Sequence, residues 1–133
     1  MPKRVLDTSV LVTYWRRRRS EIPGQPSVAD AERWARDLAA IHSQAAIVTP
    51  IRCEFLAGTK DSAEQQAAEA FLDQFQNLDD GNIPRQDWDE TPRIAKRIPH
   101  DRKPRQLGDC LIRAIAKRLK YDVFTLDKGF PKS

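Results

Sequence analysis

An α/β sandwich built on a short, mainly parallel sheet is the fold class this sequence predicts, and three observations predict it. Brief apolar runs (VLD at 5–7, AAIV at 45–48, DVFTL at 122–126) alternate with longer stretches whose apolar residues recur at helical spacing, the pattern of alternating strands and helices. The 133 residues suit one compact domain with a single core. With 40% of residues hydrophobic and 32% charged, the chain has enough apolar content for that core, and it lacks any apolar run of membrane-spanning length.

Each element follows in order. Lys3 to Asp7 reads as a short strand ending at the acid. Thr8 and Ser9 are good N-cap residues for a helix over VLVTYWRRRR. The loop IPGQPS leads to VADAERWARDLAAIHSQ, which places Ala31, Trp34, Leu38 and Ile41 on one helical face. AAIVT is a second strand, and Pro50 suits the first turn of a helix that stops at Gly58. SAEQQAAEAFLDQFQNL sets Ala68, Phe71, Leu72, Phe75 and Leu78 at helical spacing. DDGNIP is a turn leading into a short strand, and QDWDETPRIAKRI is a helix whose start Pro92 restricts. A basic loop, PHDRKPRQ, precedes the helix LGDCLIRAIAKRLK, and YDVFTLD returns as a strand.

Composition narrows the function. The opening MPKRVLDTSVLVTYWRRRR resembles a secretory signal only loosely, because Asp7 breaks its apolar stretch; it reads as part of the fold of a cytoplasmic protein. Cys53 and Cys110 are too few for a disulfide scaffold, and with His42 and His100 alone there is too little imidazole for a zinc hydrolase. Net charge is +4 with a sequence pI near 9.3, which makes an anionic partner plausible.

The informative residues are acids beside apolar runs. Asp7 ends the first strand, Glu54 lies in the first turns of the helix after AIVT, Asp109 opens a late helix and Asp127 follows VFTL. In a parallel sheet, ligands sit outside the carboxyl ends of the strands, so the four carboxylates can converge at one sheet edge. Ionised together they require a cation, and an all-oxygen set favours Mg²⁺ or Mn²⁺ over zinc. Each acid also has a structural reading: Asp7 and Asp109 as helix-terminal charges, Glu54 paired with Arg52, Asp127 in a turn before Lys128-Gly129. Their joint position favours the metal site.

Four segments in order, VLDTSVLV, TPIRCEFLAG, LGDCLIRAIAKRL and VFTLDKGF, resemble the PIN domain, most closely the VapC-type toxin ribonucleases of toxin–antitoxin pairs. The resemblance covers nearly the whole chain and implies a single PIN-like three-layer sandwich over residues 1–133. It implies a Mg²⁺- or Mn²⁺-dependent endoribonuclease leaving 5′-phosphate and 3′-hydroxyl ends, a homodimer, and a cognate VapB-like antitoxin. Carried over, Asp7, Glu54 and Asp109 are the principal metal carboxylates, Asp127 the fourth, and Ser9 and Thr125 supporting hydroxyls. Chains of the family commonly add a last edge strand after TLDKGF, whereas this sequence ends at PKS.

For RNA binding the sequence offers Arg102, Lys103 and Arg105 in the basic loop and Arg113 one turn beyond Asp109, where it could meet that acid or a phosphate. Arg16 to Arg19 spread around a helix and cannot all face one groove. Trp15 and Trp88 are candidate base-stacking platforms, Trp34 a core residue, and both cysteines buried thiols. Three other readings compete: a PIN nuclease of RNA processing without an antitoxin, a non-catalytic PIN scaffold, and a haloacid-dehalogenase-type phosphatase. The last is weakened by Ser9 where a second Asp is usual.

Overall fold

The computed structural model describes residues 3–98 and 106–132. Among the described residues four strands and six helices follow in the order β1 (Arg4–Leu6), α1 (Thr8–Ser20), α2 (Val28–Ile41), β2 (Ala45–Ile47), α3 (Thr49–Ala57), α4 (Ser62–Leu72), β3 (Gln76–Asn77), α5 (Arg85–Lys96), α6 (Leu107–Leu119) and β4 (Asp122–Phe124). All strand pairs are parallel, in the order β3-β2-β1-β4. Parallel neighbours need crossover helices, and the six helices that flank the sheet supply them. The chain steps outward from β1 to β2 and β3, then returns to place β4 on the other side of β1. The switch point, where crevices open in such sheets, therefore lies between the ends of β1 and β4.

Apolar side chains account for these elements. Val5, Leu6 and Ile47 are fully buried, as a sheet covered on its faces requires. The centre of the core is aromatic: Trp15 meets Trp34, Phe55 and Phe71 edge-on at centroid distances of 5.4, 5.5 and 5.1 Å, the geometry that ring quadrupoles favour. Ala31, Trp34 and Leu38 of α2 are buried as expected, but Ile41 is 64% exposed in the last turn. Ser27 and Asp30 form a reciprocal capping box at the start of α2, and Asp61 caps α4. No helix among the described residues is long and apolar enough to cross a membrane.

Three expectations are corrected. The third strand precedes the DDGNIP turn and does not follow it: α4 stops at Leu72, and Gln76 and Asn77 pair with Ala46 and Ile47. Phe75 is consequently buried from a turn, and Leu78 follows the strand. Pro92 lies well inside α5, which begins seven residues earlier; the hydrogen bond it cannot donate would have gone to the carbonyl of Trp88, one turn back. Thr8 and Ser9 do not cap α1. Asp7 holds the cap position without a side-chain bond to the backbone, and both hydroxyls turn elsewhere.

Candidate active site

The parallel sheet brings four acids to one edge from four separate elements. Asp7 leaves β1 at the switch point, and its backbone N–H donates to the carbonyl of Phe124 in β4 at 3.0 Å, tying the two strand ends together. Asp7 is only 5% exposed. Its Oδ2 accepts from the Thr125 hydroxyl at 2.8 Å and the Ser9 hydroxyl at 3.0 Å. Ser9 Oγ in turn accepts from the Leu126 N–H, and Thr125 Oγ1 from the Asp127 N–H. Asp7 is thus fixed by two hydroxyls that are themselves fixed by the β4 end.

Glu54 reaches the same place from α3. The placement of α3 depends on buried Asp79, which lies beyond β3. Asp79 accepts the Thr49 N–H at 2.9 Å, the Thr49 hydroxyl and the Gly81 N–H, and so caps α3 from thirty residues away. Thr8 Oγ1 donates to Glu54 Oε1 at 3.1 Å. The sequence alone presents Thr8 only as a cap. The one hint was its place beside the strand-end acid, since its partner is forty-six residues distant. Asp127 is exposed, and its Oδ1 accepts the Gly129 N–H at 2.8 Å, so it also serves its own turn.

Asp109 sits in the first turn of α6, half-buried. No described residue donates a hydrogen bond to its carboxylate. Burial, then the charges of Asp7, Glu54 and Asp127, push its pKa up to about 7. The Glu54 carboxyl is raised too, mainly by burial and further by Asp7, against the lowering effect of Thr8. Asp7, Glu54 and Asp127 are thus all within electrostatic reach of Asp109.

Of the other buried acids, Asp79 is satisfied by two N–H groups and a hydroxyl, and the remaining two show what is missing here. Asp87 is 1% exposed and receives both its bonds from Arg118 Nε, at 2.8 and 3.0 Å. Buried Glu64 accepts from Arg19 at 2.6 Å. No described cation faces Asp7 or Asp109. Clustered carboxylates without a counter-charge suit a hard divalent ion, and the oxygen-only donor set fits one. The side chains are not gathered to ligating distance: among the described residues no group of three His, Cys, Asp or Glu could hold an ion as placed, which is how like charges arrange themselves when nothing offsets them.

Other candidates are sorted by their contacts. Arg113 does not face Asp109; its Nε donates to the Pro131 carbonyl at 2.9 Å and its guanidinium lies over Phe130, fastening the C-terminal segment to α6. Arg102, Lys103, Arg105 and His100 lie outside the described residues. Trp15 is a core residue, whereas Trp88 is 54% exposed. Cys110 is buried as expected but Cys53 is exposed. His42 caps the end of α2 with its ring 4.8 Å from Phe124, and burial together with Arg4 lowers its pKa.

In open parallel sheets ligands sit outside the carboxyl ends of the strands at the switch point, and Asp7 stands at that point in this α/β domain. The sequence match defines it further: the PIN domain family is matched over residues 4–132, and the chain belongs to that family. PIN domains are generally metal-dependent nucleases that act on RNA. No curated protein matches the chain.

Proposed function

We propose that this chain is a Mg²⁺- or Mn²⁺-dependent endoribonuclease that hydrolyses RNA to 5′-phosphate and 3′-hydroxyl ends. Its cellular role is that of a toxin, restrained by a VapB-like antitoxin and acting as a cytoplasmic homodimer. The observation that carries the nuclease reading is the contrast among buried acids. Buried Glu64 and Asp87 each have an arginine and Asp79 has two backbone N–H donors, whereas among the described residues Asp7 has only two hydroxyls and half-buried Asp109 has no hydrogen-bond donor. The toxin role rests on the likeness of the four acid-bearing segments to VapC-type chains.

In this reading Asp7, Glu54 and Asp109 would hold the ion, with Asp127 as the fourth carboxylate. A divalent ion bound there supplies Lewis acidity toward a phosphoryl oxygen and lowers the pKa of a water. The chain's own contribution is rigidity. Ser9 and Thr125 orient Asp7 Oδ2, and Thr8 holds Glu54 Oε1, so these carboxylates are aimed before an ion draws the set together. Near pH 7 the Asp109 carboxyl holds a proton part of the time until a cation displaces it.

The test is cleavage of a defined single-stranded RNA panel by antitoxin-free protein in Mg²⁺, Mn²⁺ or EDTA. Cutting that stops in EDTA and in Asp7→Asn is expected, with a new 5′-phosphate at each cut. Metal-independent cutting, or full activity in Asp7→Asn, would refute the site. Growth arrest on expression, relieved by a small neighbouring gene, is the expected sign of the toxin role. A non-toxic nuclease would instead belong to RNA processing.

A further inference from the structure

We infer that the groove beside Glu54, between α1 and the α3–α4 turn, is the subsite for the RNA strand on one side of the cut, with Arg16 and Lys60 as its phosphate contacts. The inference rests on the nuclease reading and adds where the strand lies.

The groove encloses about 490 Å³ and begins at Glu54 itself. One wall is a single face of α1, with Val12, Trp15, Arg16 and Arg19 at successive turns. Arg16 stands eight residues, about 12 Å along the helix axis, beyond Thr8, which binds Glu54. The opposite wall carries Phe55, Gly58 and Lys60. It is built before any ligand arrives: buried Glu64 binds Arg19 at 2.6 Å with one oxygen and the Lys60 N–H at 3.2 Å with the other, while Asp61 holds the Glu64 N–H at 2.8 Å.

Charge decides the occupant. Of the four consecutive arginines, Arg17 lies over the Tyr14 ring, Arg18 pairs with Asp37 and Glu21, and Arg19 pairs with Glu64. Arg16 and the Lys60 ammonium have no carboxylate partner among the described residues, and both are exposed in the groove. Glu54 belongs to the cation site and Glu64 is satisfied by Arg19, so the groove presents two free cations to an incoming polyanion. Half-buried Val12 offers apolar contact to a ribose or base edge, and the two cations take phosphates without sequence choice. A strand leaving the carboxylates along α1 meets both.

The test separates this subsite from the chemistry. Binding of a fluorescein-labelled single-stranded RNA to Asp7→Asn in Mg²⁺ is measured against salt, alone and with Arg16→Ala/Lys60→Ala. Arg33→Ala/Arg36→Ala, on the exposed side of α2, is the charge-matched control. Loss of two phosphate contacts should flatten the log–log salt slope by about 1.4, because each contact to a single strand is worth about 0.7. In the cleaving protein the same pair should raise KM and leave kcat nearly unchanged. A slope equal to that of the control, or no RNA binding at all, overturns the subsite. So does a groove that is protected by a protein partner while RNA affinity stays unaltered. A flattened slope in a protein that never cuts would keep the subsite and refute the nuclease instead.

Discussion

Asp87 and Asp7 are both buried acids near the start of a helix, and they differ in what surrounds them. Asp87 opens α5 and is clasped by Arg118 of α6, joining two helices that pack along their length. Asp7 precedes α1 and has two hydroxyls but no described cation, and it acts electrostatically on the Glu54 and Asp109 carboxylates. The first is a finished structural ion pair. The second is a site whose counter-charge must come from outside the chain. Burial alone does not mark function; a buried charge without its compensating partner does.

The comparison can be broken from either side. Replacing Asp7 or Asp109 with Asn should reduce cleavage by roughly 10²–10³-fold, the loss seen when one group that stabilises transition-state charge is removed. Both variants should stay folded, and the metal-free Asp109→Asn protein should gain stability at pH 8 by about 1 kcal/mol after discounting for solvent screening. Asp87→Ala should do the reverse: lower stability by about 3 kcal/mol by stranding a partly buried arginine, with kcat per folded molecule unchanged. Chemical denaturation paired with single-turnover cleavage separates the two outcomes.

The pH dependence sharpens the contrast. Asp109 has a folded-state pKa near 7 against an ordinary value of 3.8, so between those values the folded protein holds a proton that the unfolded chain has lost. The Asp109 contribution to metal-free stability, read as wild type minus Asp109→Asn, should therefore fall as pH rises from about 4 to about 7 and level off above. His42, with its lowered pKa, acts the other way in both proteins. Mn²⁺ or Mg²⁺ should raise the melting temperature more at pH 8 than at pH 5. A wild-type melting temperature that climbs with pH relative to that of Asp109→Asn through this window in EDTA would contradict the pattern. The smallest effect is expected at Thr8. Thr8→Val should cost about tenfold in activity, as for other groups that orient a ligating side chain, and Thr8→Ser should restore most of it.

Much of this was legible in the sequence because local patterns carried it. The apolar face Ala31-Trp34-Leu38 and the strand-end acids are readable from spacing alone. β3 was misplaced because Gln76 and Asn77 have no apolar alternation, and only pairing with β2 makes them a strand. Pro92 misled because its ordinary role is to limit helices, and here the packing of α5 on α6 overrides it. The Thr8–Glu54 and Asp79–Thr49 bonds join residues forty-six and thirty positions apart, which no local pattern encodes. Arg16 was indistinguishable from its three neighbours until their partners were seen.

The most direct test is calorimetric titration of Mn²⁺ into the wild-type chain, Asp7→Asn, Asp109→Asn and Asp87→Asn at one pH below neutrality, in buffers of different ionisation enthalpy. Wild type and Asp87→Asn should bind alike and release a proton, while Asp7→Asn and Asp109→Asn should bind at least about tenfold more weakly. Equal binding by all four proteins, or none by wild type, would show that Asp7 and Asp109 are not awaiting a cation.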